Sequence, residues 1–158
     1  MLKGIRDYAL LALRITLGWV FLWAGAEKLY SEITTGKLAT AGYLQHAVRG
    51  PFEAFFKSLA GNIVVDAMVV WGLTLIGISL ILGLLIRPSS FLGAVLMMFM
   101  YFSAFPPEHN PIFDEHIAYA VSLVVLASSG AGRIAGLDGL LRRTDKIAKH
   151  PLILRILG

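Results

Sequence analysis

Residues 8–30 read YALLALRITLGWVFLWAGAEKLY, and this stretch decides the fold class. Its charged residues are Arg14, Glu27 and Lys28. At 1.5 Å per residue, a helix of this length reaches roughly 34 Å, which exceeds the approximately 30 Å of the hydrocarbon core of a bilayer. The stretch therefore predicts a membrane-spanning helix near the start of the chain.

The small and charged residues of this helix share one face. They recur at steps of four and three residues, which is the spacing of a single helical face. The members of this face are Arg14, Gly18, Phe21, Gly25 and Lys28. Glycine lets a second backbone approach closely, as interfaces between membrane helices require. A charge on the same face needs a partner, unless its long side chain extends to the nearest membrane surface, an alternative that applies most to Arg14.

The composition of the whole chain indicates the same class. Of its 158 residues, 57% are hydrophobic, and the mean hydropathy is +0.74, which is too apolar for a soluble domain. The chain has no cysteine, which excludes disulfides, thiol redox catalysis and iron–sulfur clusters. We find no nucleic-acid motif, and membrane topology explains the basic residues better. We expect residues 1–158 to form a single membrane domain.

Three further apolar stretches predict an all-α integral membrane protein, a four-transmembrane-helix bundle. The predicted spans cover about residues 8–30, 62–86, 88–105 and 114–130. Proline at a first helical position starts the third span at Pro88, and Asp114 is a good N-cap for the fourth. A face of small residues in the second span predicts another helix interface. This face consists of Gly72, Ser79 and Gly83.

The segments outside the spans have their own patterns. Residues 34–42 are rich in glycine and threonine, which predicts a loop. Residues 51–59 combine an early proline with an aromatic face, which predicts a short extracytoplasmic helix on the membrane or capping the bundle. Residues 133–158 interleave basic and apolar side chains, which predicts a basic amphipathic C-terminal tail on the membrane surface.

The distribution of lysine and arginine predicts the orientation. Cytoplasmic loops of membrane proteins carry an excess of these residues. With four spans, both termini and the turn at Arg87 lie on one side, which also holds the basic tail. The opposite side has Lys37, Arg49 and Lys57 in its first loop and no lysine or arginine in its second. We therefore predict a multi-pass protein of the cell membrane whose N- and C-termini are cytoplasmic.

Ionisable residues from three predicted spans lie at similar depth near the outer boundary. Such residues are functional candidates, because charge inside a membrane is costly. We predict that Lys28 and Asp66 form an ion pair with His116 beside them. These three residues and Glu27 are the predicted catalytic set, in which Asp66 or Glu27 exchanges protons. The predicted substrate-binding residues are His109, Asp114, Glu115 and Arg14.

A structural interpretation of the same residues stays open. Asp114 and Glu115 would cap a helix and complement its dipole, while Lys28 and Asp66 would hold two helices together. Histidine and carboxylate side chains are the ligand types of a metal site, but their spacing matches no metal motif, so no metal is assigned. We find no motif for a bound cofactor, and an electron carrier here would be a diffusible quinone.

An ordered set of motifs resembles the DoxX/DoxD membrane family. The first two are Arg14-Ile15-x-x-Gly18-x-x-Phe21-x-x-Ala24-Gly25-x-x-Lys28 and Gly83-Leu84-Leu85-x-Arg87-Pro88. Two more resemble the DoxD branch in particular: FPPEHNP at 105–111 followed by DEH at 114–116, and GAGR at 130–133 followed by Leu137-Asp138. The resemblance covers about residues 8–140.

This resemblance implies a four-helix membrane bundle and an activity. The DoxD branch is similar to a membrane subunit of thiosulfate:quinone oxidoreductase, which couples thiosulfate to tetrathionate and passes electrons to a membrane quinone. A separately encoded DoxA-like second subunit is also implied. The thiosulfate anion would need cations, and Lys28 with a protonated His116 or His109 could supply them.

Two alternatives to a redox subunit come from other functional classes. One is a non-catalytic membrane anchor or assembly subunit of a respiratory or sulfur-metabolism complex. The other is a small-molecule permease, which four short spans without inverted repeats favour least. The expected surroundings are the lipid bilayer and its quinone pool, with homo-oligomerisation left open and no nucleic-acid partner.

Overall fold

The computed structural model describes residues 4–107, 112–144, 150, 154, 156 and 157. Within these residues all longer regular elements are helices. They are α1 (Ile5–Thr35), α2 (Ala41–His46), α3 (Glu53–Ser58), α4 (Ile63–Leu82), α5 (Ile86–Ser103), α6 (Glu115–Ser129) and α7 (Leu137–Leu141), with a 3₁₀ turn at Ala131–Arg133. The predicted all-α class is confirmed.

Among the four longest helices, three are long enough to span a membrane and α6 is shorter. Helices α1, α4 and α5 are long and apolar enough to cross a membrane. Helix α1 has 31 residues and extends beyond the predicted 8–30 at both ends. Helix α6 takes the place of the predicted fourth span, but its 15 residues are fewer than the roughly 17–25 of a usual span. Three membrane-spanning helices are therefore supported by length, and α6 packs beside α5.

Glycines allow α1 and α4 to approach backbone to backbone. A Cβ atom added at Gly18 would lie 3.0 Å from the Ile81 nitrogen, and one at Gly77 would lie 2.6 Å from the Leu22 Cα. The same addition at Gly25 would also meet the α4 backbone, 2.7 Å from the nitrogen of Thr74. The predicted glycine face of α1 is thus confirmed as an interface. On α4 the contact uses Gly77, whereas a Cβ at the predicted Gly72 meets nothing within 4 Å.

The core of the bundle is apolar and draws on all four long helices. Its most deeply buried members include Phe21, Leu80, Ile86, Leu123 and Leu126. The outer surface is also apolar, with tryptophans and phenylalanines such as Trp19, Trp71 and Phe91 more than half exposed. A continuous apolar exterior is the surface that lipid chains would cover in a membrane protein.

The turn between α4 and α5 differs from the prediction in what ends the helix. Gly83 ends α4 with a φ of 65°, and Leu85 follows with a φ of 54°. Helix α5 then begins at Ile86, before the predicted start at Pro88. Glycine ends the helix because it adopts positive φ without steric cost. Pro88 is accommodated in the first turn of α5, because the N–H groups of a first turn have no acceptor within the helix and the lack of one costs nothing there.

The bundle has two ends, which we call the terminus end and the loop end. The terminus end contains the start of α1, the α4–α5 turn and residues 130–141. The loop end contains residues 36–62, 104–107 and 112–114. The predicted short helix at 51–59 corresponds to α3, whereas α2 lies in a region for which no helix is predicted. Part of the predicted loop at 34–42 is helical, because α1 continues to Thr35.

The described part of the tail folds back on itself. Arg142 donates through Nη1 to the carbonyl oxygens of Leu154 at 2.9 Å and Leu157 at 3.2 Å, and Leu157 is buried. Residues 145–149, 151–153, 155 and 158 lie outside the described part, so the amphipathic tail stays a prediction there.

Candidate functional site

A cavity of about 160 Å³ lies between α1, α4, α5 and α6 in the half of the bundle nearer the loop end. Most of its lining is apolar, including Phe21 from α1 and Met97 from α5. The lining residues with polar side chains are Lys28 on α1 and His116 and Tyr119 on α6. An apolar chamber with a few polar groups at defined positions is the usual form of a small-molecule site.

The histidine of this cavity is held by a carboxylate. Asp114 caps α6, where its Oδ1 accepts from the backbone N–H of His116 at 3.0 Å and of Ile117 at 3.2 Å. Its Oδ2 bonds the His116 Nδ1 at 2.7 Å. Nε2 is thus the ring nitrogen left for a ligand. The predicted N-cap is confirmed, and the same residue orients the histidine.

The electrostatics of Asp114 follow from these bonds. Burial alone would raise its pKa. Hydrogen bonds from the His116 ring and from the backbone outweigh burial and hold the pKa of Asp114 below its usual range. The carboxylate is therefore ionised throughout the physiological range and keeps its orienting bond to the imidazole.

Asp66 lies near Lys28, as predicted, but its hydrogen bonds go elsewhere. The carboxylate is 2% exposed, and its Oδ1 accepts from the backbone N–H of Thr40 at 2.8 Å and from the Thr40 hydroxyl at 2.7 Å. The neighbouring N–H of Ala39 donates to Glu32 Oε1 at 3.1 Å, so the Glu32 carboxyl group lies nearby. Lys28 and Asp66 interact as charges, but no direct ion pair joins them among the described residues. Lys28 thus lines the cavity and interacts electrostatically with the Asp66 carboxylate.

Glu32 was not predicted as a site residue. It lies one turn beyond Lys28 on α1, and its Oε1 accepts from the Ala39 N–H at 3.1 Å. The signal was its i,i+4 spacing from Lys28, which places both side chains on one helical face. The predicted span ends at residue 30 and therefore leaves Glu32 outside the helix, whereas α1 continues to Thr35.

Two other predicted residues, Glu27 and Glu115, do not line the cavity. Both are exposed. The predicted His109 lies outside the described residues. The ligand atoms of Asp114, Glu115 and His116 do lie within 4.8 Å of one another, so a metal ion could be held there. Exposed acidic groups adopt such spacing without a metal, and the Nδ1 of His116 is already bonded to Asp114.

Arg14 was predicted to bind substrate, but the structure places it at the terminus end, away from the cavity. Its guanidinium is 1% exposed and donates to the carbonyl oxygens of Ala131 at 2.7 Å, Ile134 at 2.9 Å and Ala135 at 3.1 Å. These carbonyls lie beyond the end of α6, and the Ala131 carbonyl also accepts from the Ile134 N–H at 3.2 Å. The three carbonyls engage Nη1 and Nη2, while the buried Nε has no hydrogen-bond partner among the described residues. Because the guanidinium is buried among backbone groups away from the cavity, its contacts are those of a structural residue.

Asp138 completes this cluster of buried charge. The side chain is fully buried, interacts electrostatically with Arg14, and accepts from the backbone N–H groups of Leu85 at 2.7 Å and Ile86 at 3.1 Å. Its own N–H donates to the Gly83 carbonyl at 2.9 Å. The motifs at 83–88, 130–133 and 137–138 therefore meet around Arg14 in one structural cluster.

A comparison with known protein families identifies the family of this chain. The DoxX family model matches residues 9–106, which is more than half of the chain. The chain belongs to the DoxX family. The matched region holds Lys28 and Asp66, while His116 and Asp138 lie beyond it. Neither a curated protein nor a solved structure matches the chain. As a DoxX protein with several long apolar helices, it is a multi-pass membrane protein within the lipid bilayer.

Proposed function

We propose that this DoxX protein is the membrane subunit of a thiosulfate:quinone oxidoreductase-like complex of the DoxD branch, and that its cavity binds the quinone ring. The observation that carries the proposal is an apolar chamber between the long helices, lined by Lys28 on α1 and His116 on α6. An apolar ring with two polar oxygens suits a lining of this composition.

The chemistry of quinone reduction assigns roles to these two residues. A quinone takes up two electrons and two protons to give a hydroquinone, so negative charge develops on its oxygens as electrons arrive. The Lys28 ammonium stabilises that charge by donating a hydrogen bond. The imidazolium form of His116 donates its Nε2 proton to the second oxygen and becomes the neutral imidazole, while Asp114 keeps its bond to Nδ1 and holds the ring in position. The Lys28 ammonium gives the other proton to the first oxygen, and solvent returns a proton to each group.

The electron donor in this proposal is an inorganic sulfur anion oxidised by a second, DoxA-like subunit. Arg14 is engaged by backbone carbonyls, and two of the other predicted cations, Lys28 and His116, line an apolar cavity. An apolar cavity favours a quinone over a small hydrated anion, since stripping water from an anion is costly. The motifs at 105–111 and 114–116, which resemble the DoxD branch, support the choice of thiosulfate as donor.

The deciding experiment uses membranes that contain the chain together with its DoxA-like partner. Thiosulfate should drive the reduction of a short-chain quinone analogue, and Lys28→Met should abolish most of this activity. Lys57→Met is the matched control, because Lys57 is exposed on α3 and pairs with Glu53. Quinone-analogue binding by the purified chain is measured in parallel. Binding without thiosulfate-dependent turnover would reject the donor, and absence of binding would reject the cavity.

A second candidate is a non-catalytic anchor or assembly subunit. It is favoured by the terminus end, where the buried charges of Arg14 and Asp138 serve packing alone. If this candidate is right, Lys28→Met leaves the turnover of the assembled complex unchanged, while substitutions at the helix interfaces reduce the amount of complex recovered.

We also propose that both termini face the cytoplasm, which rests on the excess of lysine and arginine at the terminus end. The chain contains no cysteine, so single cysteines can be introduced without background labelling. Cysteines at Lys37 and Arg143 should label from opposite sides of the membrane. Labelling of both from one side would contradict this orientation.

A further inference from the structure

Arginine is concentrated at the terminus end of the bundle. Among the described residues, this end and residues 142–144 beyond it carry two aspartates, Asp7 and Asp138, against six arginines: Arg6, Arg14, Arg87, Arg133, Arg142 and Arg143. An excess of positive charge on one surface attracts anionic ligands.

Three of these arginines are brought together around Asp138 by backbone contacts. The residue before Arg87 donates its N–H to Asp138 Oδ2 at 3.1 Å. A Cβ atom added at Gly139 would lie 3.2 Å from the Cα of Arg133. The N–H of Arg142 donates to the Asp138 carbonyl oxygen at 3.1 Å. Three separate segments of the chain therefore place one arginine each beside the same residue.

The side chain of Arg133 interacts with the other two arginines. It packs over Gly130, where an added Cβ would lie 3.5 Å from its Nε. This partial burial, followed by the positive charges of Arg142 and Arg87, lowers the pKa of Arg133, while Asp138 raises it. An anion held between the arginines would offset their mutual repulsion. Since a guanidinium has five N–H donors, it can bond a protein group and a phosphate oxygen at the same time.

The arginines lie at the level of the membrane surface beside exposed leucines. The turn at residues 83–85 joins α4 and α5, which are both long enough to cross a membrane. Leu85 in this turn is 41% exposed, and Leu140 on α7 is 61% exposed. Apolar side chains next to arginines match a phospholipid, which presents acyl chains and a phosphate at this depth. A free phosphate ion would make no use of the leucines.

We propose that Arg87, Arg133 and Arg142 form a binding site for the phosphate group of an anionic phospholipid. Arg87 and Arg133 donate to the phosphate oxygens. Arg142 adds its positive charge, while its Nη1 holds the carbonyl oxygen of Leu154 in the tail. The site is independent of the proposed quinone cavity, which lies in the half of the bundle nearer the loop end.

The test measures lipid binding to the purified full-length chain by native mass spectrometry in a neutral detergent. The probes are dioctanoyl-phosphatidylglycerol, its zwitterionic phosphatidylcholine analogue with the same acyl chains, and inorganic phosphate as a competitor. The variants are Arg87→Gln, Arg133→Gln, their combination and Arg133→Lys. Arg143→Gln is the matched control, because it removes the same charge from an exposed arginine of the same segment.

The wild type should bind the phosphatidylglycerol more tightly than the phosphatidylcholine. Each glutamine substitution should weaken phosphatidylglycerol binding about fivefold, and the combination about 25-fold, because each arginine contributes to the attraction of an anionic lipid. Arg133→Lys should also weaken binding, since lysine lacks the planar fork that matches a phosphate. Arg143→Gln should change binding by less than about twofold, because its charge is exposed and screened. If Arg87→Gln fails to fold, the exposed Arg133 decides alone.

Equal affinity of the wild type for the two lipids would overturn the inference. An equal loss in Arg143→Gln and Arg133→Gln would replace the site by a general attraction of the surface charge. Displacement of the lipid by inorganic phosphate at the same concentration would assign the arginines to a free anion. Displacement by a polyglutamate peptide, with the same dependence on Arg87 and Arg133, would assign them to an acidic protein.

Discussion

The two ends of the bundle treat buried charge in opposite ways. At the terminus end, Arg14 and Asp138 are almost fully buried and direct their hydrogen bonds at backbone groups. At the loop end, Lys28 and His116 line a cavity. Lys28 interacts electrostatically with Asp66, and the His116 ring is hydrogen-bonded to Asp114. A buried charge whose donors are occupied by the backbone stabilises the fold, whereas one that faces a chamber is available to a ligand. Four predictions sharpen or break this distinction.

The largest effect is expected at the terminus end from Arg14→Met. The substitution removes one of the positive charges that interact with buried Asp138 and the donors of three carbonyls, and loss of a buried charge interaction of this kind costs about 3–5 kcal/mol. The measurement is chemical unfolding in detergent, with recovery of monodisperse protein as a second readout. Arg143→Met is the control, since Arg143 is exposed. Equal stability of the two variants would remove the structural role from Arg14.

The next effect concerns chemistry at the loop end. His116→Ala should lower quinone-reducing turnover by roughly 10²-fold, because positioned acid–base groups contribute at least that much. The unfolding transition should move little, since Asp114 still caps α6. Exposed His46→Ala and Glu27→Gln are expected to retain turnover, as neither residue lines the cavity. A large loss in Glu27→Gln would return Glu27 to the catalytic set.

Glycine substitutions test the helix interface that joins the two ends. Gly25→Ala should destabilise the protein by about 1–3 kcal/mol, because the added methyl group meets the backbone of Thr74. Gly72→Ala on α4 has open space around it and should be neutral or stabilising by about 0.5–1 kcal/mol, since alanine favours a helix interior. Thermal unfolding of the two variants in the same detergent measures the contrast. Similar losses at both positions would mean that helix packing differs from the structure.

The smallest effect is the pH dependence of Asp114. Its pKa is lowered in the folded protein, so its contribution is fully present above the unfolded value of about 3.9 and is lost as the pH falls through the lower folded value. Asp114→Asn keeps an N-cap but cannot ionise, and should cost about 1 kcal/mol at neutral pH. Unfolding curves of the two proteins are measured between about pH 3 and 6. The difference in their free energies of unfolding should become smaller as the pH falls. A difference that widens toward acid would contradict the assignment.

The positions of single elements show how far local patterns reach. The glycine face of α1, the N-cap at Asp114 and the short helix near 51–59 follow from spacing and residue type, and the structure contains all three. Predictions about contacts between distant elements were less accurate. Gly77 rather than Gly72 meets α1, because the crossing point of two helices depends on both surfaces.

The sequence by itself determined that this is an all-helical membrane protein with an interface on α1, because hydropathy and periodicity are properties of a continuous stretch. Only the tertiary structure decided what each charge does. Arg14 bonds a carbonyl 117 residues away, and Asp66 accepts from Thr40, which lies 26 residues earlier in the chain. The same ionisable side chain serves packing or chemistry according to its neighbours, and those neighbours are brought together by long-range folding, which no local pattern records.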